Sequence, residues 1–108
     1  MPAYAVALMR SVNWNASIIE YIRKITRTLE PHSGRFLVHG DNPVVMDGEF
    51  TGHLVMIEFP TMKNARDWYF CKEYQEILAM RRYNSDSAVL LVDGVAPGYS
   101  ASDLLKRY

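Results

Sequence analysis

The 108-residue sequence holds one cysteine, Cys71, which excludes an intrachain disulfide and any multi-cysteine metal site and points to a reducing compartment. It holds no excess of either charge. Twelve Lys and Arg balance twelve Asp and Glu, so the electrostatic footprint expected of a protein that binds DNA, RNA or an anionic membrane is missing. Long apolar runs are missing too. The run from Ala3 to Met9 has no basic stretch before it, and nothing approaches the roughly 20 residues that cross a bilayer, so the expected location is the cytoplasm, with neither membrane nor nucleic acid as partner. His32, His39 and His53 stand at no metal-ligand spacing, and phosphate-binding glycine loops and nucleophile elbows are absent, so neither a metal nor a cofactor is expected.

What remains is patterned. Ala3 to Met9 reads as a buried first strand. Ile18, Ile22, Ile25 and Leu29 form one stripe of a helix that Asn13 or Asn15 can cap and that Pro31 and Gly34 close. Arg35 to His39 reads as a second strand, Val44 to Met46 as a short hairpin arm, and His53 to Phe59 as a third strand stopped by Pro60. Thr61 caps a helix starting at Met62, helical character continues to Tyr83, and Ala88 to Val92 makes the last strand. The order β-α-β-β-α-β predicts an α+β, ferredoxin-like protomer with a four-stranded antiparallel sheet in the order 4-1-3-2 and both helices on one face. Residues 1–96 form the expected domain, and 97–108 a tail with about two helical turns begun by Ser100 and Asp103.

The sheet is apolar on both sides. Val55, Ile57 and Phe59 alternate with Leu54, Met56 and Glu58, and Ala88, Leu90 and Val92 with Val89 and Leu91. Helices cover one face only, so a second copy of the chain is the expected cover for the other, in a homodimer whose sheets meet. The competing reading folds the tail back over its own sheet. A tail that crosses to the partner subunit accommodates both.

The ordered motifs Gly34-Arg35-Phe36-Leu37, Val55-Met56-Ile57-Glu58-Phe59-Pro60-Thr61, Ala65-Arg66-Asp67-Trp68-Tyr69, Glu73-Tyr74-Gln75, Arg81-Arg82 and Leu91-Val92-Asp93-Gly94 together resemble domain-of-unknown-function family 1330, a member of the dimeric α+β barrel superfamily. The resemblance implies protomers paired sheet to sheet into a barrel, but no settled activity. Superfamily relatives include cofactor-free monooxygenases, isomerases and haem-degrading enzymes. By that analogy the expectation is a cofactor-free oxygenase or isomerase-like enzyme acting on a small aromatic or acidic metabolite; the alternative is a non-catalytic binding or stress-type dimer. Two departures stand out. Cys71-Lys72 replaces Ser or Asp followed by Pro, which softens the expected break in the second helix, and Ser33 replaces the first of a Gly pair.

Regular alternation along strand two puts Arg35, Leu37 and His39 on the face away from the helices, with Leu54, Met56 and Glu58 beside them. Arg35, His39 and Glu58 are therefore the catalytic candidates, able to bind an acidic ligand or move a proton. The same residues also fit a buried Arg35–Glu58 ion pair that sets sheet register, with His39 at the rim. Trp68, Tyr69 and Tyr74 are candidate walls for a planar ligand or simply core, and Arg81, with Arg82, is a candidate anion clamp or a helix-end cation.

Overall fold

The computed structural model describes residues 1–107. Its elements follow in the order β1 (Ala3–Val12), α1 (Ala16–Leu29), β2 (Arg35–Asp41), β3 (His53–Phe59), α2 (Met62–Phe70), α3 (Lys72–Arg82) and β4 (Ser85–Asp93), with 3-10 turns at Glu30–His32 and Ala101–Arg107. The strands pair antiparallel in the order β2-β3-β1-β4, the ferredoxin-like arrangement that the element order implies.

Local chemistry explains the boundaries. The Asn15 side chain accepts the Ile18 N–H at 3.1 Å and starts α1, and the Thr61 hydroxyl accepts the Asn64 N–H and starts α2. Cys71 adopts an extended backbone between α2 and α3, and its Sγ accepts the Tyr74 N–H at 3.4 Å. The break expected to be soft is thus a full one, with a thiol serving as the cap where Ser or Asp would stand. Ser33 sits at φ 59°, a left-handed position usually given to glycine. Gly34 follows without a side chain because a Cβ there would lie 2.7 Å from Phe59 and 2.9 Å from Leu29, two of the most deeply buried residues.

Two further expectations need correcting. Val44 to Met46 form no hairpin arm, being irregular and exposed throughout. β1 runs on past Met9 to Val12 because a register irregularity at Arg10 absorbs the polar pair Arg10-Ser11 and lets pairing with β4 resume. The tail does turn helical, as a 3-10 helix over Ala101–Arg107, with Asp103 accepting the Ser100 N–H at 3.1 Å.

Cross-strand partners share a face, so pairing sorts the sheet into two sides. Ala3, Ala5, Ala7, Val55, Ile57, Phe59, Val89 and Leu91 lie under the helices. Tyr4, Val6, Leu8, Leu54, Met56, Glu58, Ala88, Leu90 and Val92 lie on the opposite face. None of these nine is buried in the single chain, and Leu90 and Val92 are 48% and 42% exposed, so the tail does not cover them.

The core centres on Trp68, which stacks at 5.4 Å on Phe59 and 4.2 Å on Tyr74 and donates its indole N–H to the Thr28 hydroxyl at 3.0 Å. α2 packs onto the sheet, whereas α1 packs chiefly against α3. Beneath α1 the central strand β1 offers the small side chains of Ala5 and Ala7. Small side chains there leave space that neither layer fills.

Candidate functional site

That space is a cavity of about 230 Å³ between α1 and the sheet. Ile18, Ile22 and Ile25 of α1 form its roof, and its walls carry a handful of polar groups: Tyr21, Tyr74, Arg81, His39 and His53. It is smaller than the roughly 300 to 1,000 Å³ of sites for drug-sized ligands, which restricts a guest to a small molecule.

Arg81 is the unusual member. It is only 6% exposed, yet it has no carboxylate partner among the described residues: its Nη1 donates to Ser87 Oγ at 3.0 Å and its Nε to Tyr74 Oη at 3.4 Å. The nearby carboxylate Asp86 is engaged instead by Arg10 at 3.0 Å, a hydrogen bond that holds the Asp86 carboxyl below its ordinary value. Burial alone would lower the Arg81 pKa, but Tyr74 and Tyr21 outweigh it and the net shift is upward, so the guanidinium stays charged. Buried cations are normally matched by an anion. Here the anion's place opens onto a cavity.

The tyrosines extend this polar end. Tyr21 Oη and Tyr74 Oη lie 2.8 Å apart, linking α1 to α3. Burial, reinforced by Tyr74, pushes the Tyr21 phenol well above its ordinary value of 10.0. A folded-state pKa above the unfolded one means the neutral phenol's contribution is complete below pH 10 and is lost as pH rises through the higher folded value. The melting temperature of the wild type should therefore fall more steeply above about pH 10 than that of Tyr21→Phe. Parallel curves would count against a buried Tyr21.

The two histidines mark the other side. Met9 of β1 pairs with His53 on one flank and Ser87 on the other, so the His53 and Ser87 backbones stand about 10 Å apart across three strands. His53 Nδ1 is a buried polar atom without a hydrogen-bond partner, the one such side-chain atom among the described residues. His39 stacks on Phe36 with ring centres 4.4 Å apart.

The candidates are thereby divided. Arg35 and Glu58 do meet, through Nη2 and Nε to one Glu58 oxygen at 2.8 and 2.9 Å, but on the face away from the helices. Arg35 is 69% exposed there, so in the single chain the pair is a surface one and not buried. His39 does not join them. Register shifts between Phe36 and Val38, and again between His39 and Asp41, each insert one residue, and the first reverses the alternation so that His39 pairs with Val55 and lines the cavity. Trp68, Tyr74 and Arg81 line the cavity as well. Tyr69 lies beside it, with Arg81, Arg82 and Ser87 around a shallower hollow. Sequence reasoning passed over Tyr21, although its place between Ile18 and Ile25 put it on the buried stripe, and over His53, although its alternation with Val55 and Ile57 put it on the helix face.

Fold and cavity define a ferredoxin-like α+β protein with a small, partly open space between sheet and first helix. The chain belongs to the family described as Domain of unknown function (DUF1330), which matches residues 2–95. Among solved structures, methylated RPA0582, a protein of unknown function from Rhodopseudomonas palustris, matches with a TM-score of 0.70 at 18% identity over 91% of this chain and 84% of that one. A dimeric ferredoxin-like protein of unknown function from Jannaschia sp. CCS1 matches with a TM-score of 0.66 at 8% identity over 87% and 100%. SnoaB, a cofactor-independent oxygenase from Streptomyces nogalater, matches with 0.54 at 10% identity over 92% and 96%. No curated protein matches. At these identities the structural likeness shows the fold alone.

Proposed function

We propose that the chain binds a small aromatic or enolic acid in the cavity under α1 and acts on it without a cofactor, in a homodimer whose sheets pack face to face. The observation that carries the reading is the buried Arg81 guanidinium, uncompensated by any described carboxylate and facing an apolar cavity. An anionic oxygen of the ligand supplies what the fold withholds, at the point where Tyr74 also offers its hydroxyl. His53, with a ring nitrogen free of partners, is placed to take a proton from the ligand. Removing a C–H proton there while Arg81 and Tyr74 hold the oxygen on which the resulting enolate charge collects is a step common to cofactor-free oxygenation and isomerisation. SnoaB, similar in fold, is described as a cofactor-independent oxygenase, in keeping with chemistry of this kind.

The dimer rests on the uncovered apolar sheet face, and the Jannaschia protein of similar fold is described as dimeric. The chain's radius of gyration, 15.4 Å, also exceeds the roughly 13 Å of a compact monomer of this length. The 42–52 connection and the tail carry exposed apolar side chains such as Met46 and Leu105 that a partner subunit would cover.

Isothermal titration with 2-naphthoate, 1-naphthol and benzoate tests the site. One saturable site per chain is expected, retained within twofold in Arg35→Ala and weakened severalfold in His39→Ala, because only the second residue lines the cavity. Absence of binding at millimolar ligand would favour a non-catalytic dimer, and loss in Arg35→Ala alone would move the site to the other face.

A further inference from the structure

Trp14 precedes α1, in the loop that leaves the end of β1, and it is the largest exposed side chain lining the cavity, with 68% of its surface open. Its backbone is nonetheless held on both sides by one residue. The Asn13 N–H donates to the Asn84 carbonyl at 2.8 Å, and Asn15 Nδ2 donates to Asn84 Oδ1 at 2.7 Å. Asn84 is itself fixed, donating through Nδ2 to the Met80 carbonyl at 2.9 Å, while Asn15 also caps α1. The loop is therefore clamped to the turn between α3 and β4, and the indole is the one large group it presents. Val12, His39, Gly40 and His53 line the same end of the cavity as this loop.

At 68% exposure little of the indole is covered by the chain itself, and an indole at the edge of a cavity offers a flat apolar face to a flat guest. Resting on the ligand site proposed above, we infer that Trp14 is the outer wall of that site and selects planar over puckered ligands by stacking on their ring. The acid group of such a guest meets Arg81 on the β4 side of the cavity, and its ring lies under α1 against the indole. Trp14 is in this sense a specificity-determining residue and takes no part in proton transfer.

Two acids of one skeleton separate this role from general apolar contact: 2-naphthoate, which is flat, and decahydro-2-naphthoate, which is its saturated, puckered counterpart. Titration calorimetry on wild type, Trp14→Ala and Trp14→Phe is the experiment, and the exposure of Trp14 lets all three fold. The wild type should prefer the flat acid. Trp14→Ala should lose roughly threefold to tenfold in affinity for it and under twofold for the saturated acid, with most of the loss restored in Trp14→Phe. Binding of 2-naphthoate to wild type with equal losses for both acids, or with none, would overturn the role of Trp14 and leave the site standing. Failure of 2-naphthoate to bind wild type would overturn the site, and this inference with it.

Discussion

Replacing Arg81 by Met is expected to leave the protein as stable as the wild type or more so, while weakening its affinity for 2-naphthoate by about a hundredfold. The first half follows from what the guanidinium leaves behind. Tyr74 keeps the Tyr21 hydroxyl at 2.8 Å and Ser87 keeps the Ser85 hydroxyl at 3.0 Å, so no buried partner is orphaned when Arg81 goes. Meanwhile the desolvation cost of a buried, uncompensated cation disappears, and a flexible thioether of similar length fills the channel its stem occupied. The second half follows from the strength of hydrogen bonds to charged groups, about 1.5 to 3 kcal/mol each. A residue retained for stability would behave in the opposite way, losing several kcal/mol on replacement and leaving affinity unmoved. Thermal unfolding and titration calorimetry on the same sample distinguish the two.

Leu90→Asp is expected to convert the protein from dimer to monomer. Leu90, on the edge strand β4, pairs with Val6 on the uncovered sheet face and is 48% exposed in the single chain, so an aspartate there remains hydrated in a lone protomer and costs it little. In a sheet-to-sheet dimer the same carboxylate is buried twice, once from each subunit, at a penalty of several kcal/mol per ion. Light scattering should give the wild type twice the 12.4 kDa of the chain and the variant 12.4 kDa. A wild type that remains a monomer at high micromolar concentration would leave the apolar face without its proposed cover.

Most of the architecture was legible in the sequence because periodicity reports it directly. Of the stripe Ile18, Ile22, Ile25 and Leu29, all but the exposed Ile22 are buried, and the two-residue alternation from Leu54 to Phe59 appears on the faces it implies. The site was legible only in part. Arg81 was recognisable as a cation beside an aromatic cluster, but its burial depends on α3 turning it toward Ser87, a contact between elements that no local pattern encodes. His39 was placed on the wrong face because a bulge is one inserted residue, and nothing in Arg35 to Asp41 announces where it falls. The cavity itself is an absence, created by Ala5 and Ala7 beneath a helix that leans on α3 instead of on the sheet. Alternating alanines in a central strand were the one visible sign of it. Trp14 had no sign at all, since its loop is positioned by Asn84, some seventy residues away in the chain.

The most direct test is a crystal structure of the wild-type protein soaked with 2-naphthoate. Density for the ring under α1, with the carboxylate within hydrogen-bonding distance of Arg81, is the expected result. A cavity that holds only water at saturating ligand, or an acid bound elsewhere with Arg81 still uncompensated, would contradict it.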